Sequence, residues 1–208
     1  MFSLQRILGQ EEKIFGLLEA SAEEARNSVR ALVRISKALD EPLVLDEFAR
    51  LRRLDKKITE QISSAAYMIF VTVLDREDID ELSRALYKIP KIVDKFTERL
   101  LLSPRNVRAT DFSKQLDLLD RATDVVVEMV RTLRKENLGH IQELNESLQS
   151  IESQADQQML ELYGELLNHP REILEVIALK DLYEHLEKII DRCRDAGSVI
   201  ARIALKNG

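Results

Sequence analysis

The sequence has no tryptophan, one cysteine, three histidines, four prolines and six glycines in 208 residues, and each shortage removes a class of structure. A lone Cys193 leaves no intramolecular disulfide and cannot by itself build the usual multi-cysteine zinc site, which fits a reducing compartment. With so few glycines and prolines there is little material for the turns of a β-rich fold, whereas the many Leu, Ala, Glu, Lys and Arg residues favour long helices joined by short connections. None of His140, His169 and His185 follows a Glu by three positions, so the Glu-x-x-His element of carboxylate-bridged di-iron bundles is missing. A glycine-rich phosphate loop, His-Glu-x-x-His and Gly-x-Ser-x-Gly are missing as well. The longest apolar run, Ala65 to Leu74 broken only by Thr72, is about half of what a spanning helix requires. It reads as the buried end of a helix or as an interaction surface, with Ile69, Phe70, Val71 and Val73 the candidate contacts and burial against the third helix their expected use. The first residues carry no sustained apolar stretch and no small-residue cleavage site, so a secretory signal is not expected and a cytoplasmic location is. A net charge of -6 argues against a phosphate-backbone binder, which normally shows a basic patch; nucleic acid is not the expected partner.

What is present is helical periodicity. Apolar residues at 3.6-residue spacing, read between breakers, predict six helices over 11–40, 45–72, 75–102, 111–135, 138–167 and 170–206. Glu41-Pro42 stops the first, because the residue before proline resists helical geometry. The acids of Asp75-Arg76-Glu77-Asp78 supply an N-cap and a first turn favoured by the helix dipole. Pro90 should kink the third helix, and Ser103-Pro104 ends it.

Slid against itself, the chain shows a repeat near one hundred residues. At an offset of 101, Leu17-Leu18-Glu19 meets Leu118-Leu119-Asp120, Val29-Arg30 meets Val130-Arg131, and Asp55 meets Asp156; at 100, Leu82 meets Leu182 and Lys88-Ile89 meets Lys188-Ile189. The predicted fold class is therefore all-α, two repeated three-helix bundles packed side by side, with units 1–104 and 105–208 forming one compact domain overall.

Acids four apart mark each helix of the second unit: Asp120 and Asp124, Glu152 and Asp156, Glu187 and Asp191 with Asp195. Like charges so spaced share a face and destabilise an isolated helix by about 0.2–0.5 kcal/mol a pair, so they need solvent screening or a bound cation. Carboxylates are hard ligands suited to magnesium, calcium, manganese or iron. Against this, 37 acids in a chain of this length yield about seven such pairs by chance, and the apolar seam Leu182, Leu186, Ile189, Cys193, Ala196, Ile200 points away from Glu187, Asp191 and Asp195. A solvated charged face and a metal site both remain open. The first unit has Leu51, Tyr87, Lys91 and Lys95 where the second has Glu152, Glu187, Asp191 and Asp195; its remaining acids Glu19, Glu23 and Asp55 are candidates for internal ion pairs. Cys193, on the seam, reads as a buried structural thiol, and Tyr163 and Tyr183 as core-edge residues.

Three segments carry a resemblance: Leu74-Asp75-Arg76-Glu77-Asp78-Ile79, Ile151-Glu152-Ser153-Gln154-Ala155-Asp156, and Lys180 through Asp195. Over essentially its whole length the chain resembles the PhoU-like proteins, specifically the accessory branch associated with Pit-type inorganic phosphate transporters. The resemblance implies a non-enzymatic accessory or regulator of phosphate transport, peripheral to the membrane through a transporter partner and compatible with homo-oligomerisation. It also implies an acid-x-x-x-Asp metal cluster, iron or another divalent metal, at Asp120/Asp124, Glu152/Asp156 and Glu187/Asp191, with Asp195 beside them. Leu51 and the sequence Tyr87, Lys88, Pro90, Lys91 depart from the family pattern and argue against a first cluster. Two other readings stay open: a metal-free helical adaptor, and a carboxylate-metal hydrolase or oxidase, which would need open metal positions and a substrate pocket.

Overall fold

The computed structural model describes residues 4–36, 44–67 and 74–207. Among them the chain forms α1 (Leu4–Ser36), α2 (Val44–Tyr67), α3 (Arg76–Leu102), a single turn α4 (Arg105–Arg108), α5 (Ser113–Leu133), α6 (Leu138–Asn168) and α7 (Ile173–Asn207), with no strand. The stop expected at Glu41-Pro42, and the contacts expected at Ile69, Phe70, Val71 and Val73, lie outside the described residues. Of that apolar run, Ala65, Ala66 and Leu74 are buried.

Each long helix is placed by an apolar stripe at three- and four-residue steps. On α3 the stripe is Ile79, Leu82, Leu86, Ile89, Val93, Phe96 and Leu100; on α7 it is Leu179, Leu182, Leu186, Ile189, Cys193, Ala196, Ile200 and Ile203, all buried. The stripes share one core. Helix α1 packs on α2, α3 and α5, and α7 packs on α3, α5 and α6, so α1, α3, α5 and α7 form the centre while α2 and α6 each lean on two neighbours. Phe96 of α3, Phe112 at the start of α5 and Tyr183 of α7 form an edge-to-face chain, with ring centroids 5.8 and 6.0 Å apart; such pairs contribute about 0.5–1.5 kcal/mol beyond their burial.

Two local expectations change in detail. Asp75 does occupy the N-cap of α3, but its side chain makes no capping bond. It reaches instead to Lys206 in the last turn of α7, 2.5 Å away, and Asp78 joins the same ammonium at 2.9 Å. That pairing ties the start of one helix to the end of another. The turn α4 was not expected; four residues present no periodicity to read. Helix α3 runs on through Pro90, whose ring is buried.

Candidate functional site

The seven acids divide by location. Asp120 and Asp124, on α5, face α1, where the Arg30 guanidinium donates to both, 3.1 and 3.0 Å away, and Arg26 donates to Asp124 at 3.2 Å and to Glu23. The Asp120 hydrogen bond holds the Arg30 pKa above its ordinary value. Arg131 and Arg134 extend this ladder to Glu23, Glu12 and Glu19. Of the ion pairs expected of Glu19, Glu23 and Asp55, those of Glu19 and Glu23 form, with arginines and not with Lys91 or Lys95, whereas Asp55 makes none among the described residues. They are half exposed and modest in energy, about 0–1 kcal/mol each.

On the other side, Glu152 of α6 pairs with Arg194 of α7 at 3.2 Å, and Asp195 with Arg192 at 2.5 Å. Asp156, Glu187 and Asp191 are left facing one another across α6 and α7. Burial raises the Glu187 pKa, and Asp191 and Asp156 raise it further. Burial likewise raises that of Asp191, with Arg192 opposing and Asp156 and Asp195 adding to the rise. Among the described residues no group of three or more His, Cys, Asp or Glu side chains stands in a metal-holding arrangement. Asp120, Asp124 and Glu152 each have one carboxylate oxygen engaged by an arginine, and the first two lie on the α1–α5 side, away from Glu187 and Asp191. Asp156, Glu187 and Asp191 are oxygen donors that raise one another's proton affinity, with Arg192 partly offsetting the charge, but they do not stand at metal-holding positions.

A second constellation lies in the first half, where charge matching across the repeat pointed away from a site. Glu24 of α1 and Asp55 of α2 are 7% and 3% exposed, and one carboxylate oxygen of each, Oε2 and Oδ1, is buried without a hydrogen-bond partner. Burial pushes the Asp55 carboxyl up to about 7, and the negative charges of Glu24 and Asp94 push the same way. Asp55 lines a cavity of about 220 Å³ together with Arg52, Lys91, Lys95, Asp94, Glu98 and the uncharged Ser28, Tyr87 and Pro90. Arg52 is engaged by Asp94 at 2.7 Å and by Glu98 at 3.2 Å. The sequence held one signal for this site: Asp55 sits in the buried register Leu51, Asp55, Ile58, Ile62, where an acid is out of place.

The third feature is apolar. Leu160 and Leu167 near the end of α6, and Ile173, Leu174 and Ile177 at the start of α7, are 59–79% exposed. Exposed Glu161, Glu165 and Glu172 lie among them. Cys193, by contrast, is fully buried, and burial raises its thiol pKa. Among the described residues no helix is long and apolar enough to cross a membrane.

Among the described residues, chain topology and packing thus define an all-helical protein of long helices around one shared core. Its fold is similar to that of a PhoU-like protein from Shewanella oneidensis MR-1, 15% identical, with a TM-score of 0.81 over 92% of this chain and 99% of the other. A second structure from that organism, described as a PhoU-like phosphate regulatory protein, is 15% identical with a TM-score of 0.79 over 93% and 99%. No family model matches the sequence, and no curated protein matches it. The likeness is one of fold.

Proposed function

We propose that the chain is a non-enzymatic regulator of inorganic phosphate transport that docks, from the cytoplasm, onto a membrane phosphate transporter of the Pit type. The observation that carries this reading is the exposed aliphatic end of α6 and α7. Five large aliphatic side chains exposed at one end of the α6–α7 pair support a docking surface there. The acids around it suit a partner whose apolar contacts are flanked by basic residues, and cytoplasmic loops of membrane proteins carry an excess of Lys and Arg. Likeness over nearly the whole length to a protein described as a phosphate regulator supports the link to phosphate regulation.

A divalent cation at Asp156, Glu187 and Asp191 belongs to the same proposal: it would neutralise three carboxylates and tie α6 to α7. The metal-free adaptor is the second reading, and the arginine partners of Asp120, Asp124 and Glu152 favour it for those positions. The test is binding of the chain to a detergent-solubilised Pit-type transporter. Leu167→Asp with Leu174→Asp, both at exposed positions, should abolish binding without lowering the melting temperature. Undiminished binding by that variant, or none by the unaltered chain, defeats the docking proposal. Elemental analysis of the chain and of Asp191→Ala separates the two readings of the acids.

A further inference from the structure

The pocket between α1, α2 and α3 combines two needs that one ligand can meet. Its floor is formed by Asp55, a carboxylate with one oxygen, Oδ1, buried and without a donor. Its rim has two cations, Lys91 and Lys95, that make no ion pair among the described residues and so lack an acceptor. A buried carboxylate oxygen without a partner is costly, so an unsatisfied Asp55 at the wall of this cavity calls for a donor from outside the chain. A bare cation would satisfy the floor but meet two ammonium groups at the entrance. A simple anion would satisfy the rim but repel the floor.

We propose that this pocket binds a small protonated oxyanion, hydrogen phosphate being the type, with Lys91 and Lys95 taking its charged oxygens and the Asp55 carboxylate accepting its hydroxyl proton. Hydrogen phosphate carries three acceptor oxygens and one O–H donor, matching two ammonium groups and one carboxylate. The volume suits an ion of this size; pockets for larger organic ligands run from about 300 to 1,000 Å³. The pocket wall also carries Arg52, Asp94 and Glu98, which pair with one another and so leave Lys91 and Lys95 as its unpaired charges beside Asp55, while Glu24 from α1 and Asp94 add negative charge at Asp55. Above about pH 7 Asp55 is ionised and able to accept the proton. The proposal does not depend on docking at the α6–α7 end, and either can fail without the other.

The test follows from donor count. With the full chain at pH 8, thermal shift and calorimetry are recorded with potassium phosphate, arsenate, sulfate and methyl phosphate at equal ionic strength. Phosphate and arsenate keep an O–H at this pH and should bind saturably. Sulfate and methyl phosphate have none and should bind at least tenfold more weakly. Lys91→Gln with Lys95→Gln, at exposed positions, should lose phosphate binding while melting unchanged in its absence. Asp55→Asn, whose amide donates as well as accepts, should fold and lose the preference for phosphate over sulfate. Equal binding of phosphate and sulfate by the unaltered chain, binding of neither, or phosphate binding that survives the lysine changes would overturn the proposal.

Discussion

Asp55→Asn should stabilise the protein at alkaline pH, by an amount that the burial of Asp55 sets. The carboxyl is 3% exposed and titrates at about 7 in place of its ordinary 3.8. The folded state thus holds a proton that the unfolded chain releases near pH 4. The stability contributed by this group is complete below the unfolded value and is lost as pH rises through the folded one. At 1.36 kcal/mol per decade of proton affinity, the full loss approaches about 4 kcal/mol above pH 8. Roughly a third of it has already gone by pH 5. Asparagine keeps the shape and removes the charge, together with its repulsion from Glu24 and Asp94. The advantage of the variant should therefore grow by about 2–3 kcal/mol between pH 5 and pH 8.5. Urea unfolding of both proteins at these two pH values, in phosphate-free buffer, measures that difference directly. Parallel pH profiles would refute the reasoning, because they would mean that Asp55 is ionised at no cost.

Three further outcomes follow from packing and backbone. A Cβ on Gly197 would lie 2.5 Å from Leu148 Cδ2, in the wholly buried seam of α6 and α7; Gly197→Ala should cost about 1–3 kcal/mol despite its better helix propensity, and become stabilising in a Leu148→Ala background, as a double-mutant cycle reads. Glu136, in the α5–α6 turn, has φ 54, a left-handed conformation that glycine adopts freely. Glu136→Gly should gain about 0.5–1 kcal/mol, or about 2–4 °C in melting temperature for a gain of 1 kcal/mol at this chain length. Cys193 should resist a thiol reagent in the native state and react at the rate of unfolding, so labelling that is fast without denaturant would contradict its burial.

The helices were legible because their periodicity is regular. Leu82, Leu86, Ile89 and Val93 announce α3 and its buried face together, and Ser103-Pro104 marks its end. Seam positions such as Leu182, Cys193 and Ile200 fall inside as their spacing predicts. Sequence spacing shows which acids share a helix face, but not what approaches that face from another helix. Asp120 and Asp124 face Arg30, 90 and 94 positions away, and nothing local in α5 encodes that meeting. The pairing of Glu24 with Asp55 was missed for the opposite reason. Charge matching across the repeat drew attention to acids on exposed faces, while the informative acid was the one in an apolar register.

Phosphate uptake, measured with labelled phosphate in cells lacking the chain, tests the central claim most directly. The account predicts that loss of the chain changes the uptake rate or its dependence on external phosphate. The unaltered chain should restore normal behaviour, and the variant carrying Leu167→Asp and Leu174→Asp should not. Uptake indifferent to the chain's presence, or restored equally by the variant, would contradict it.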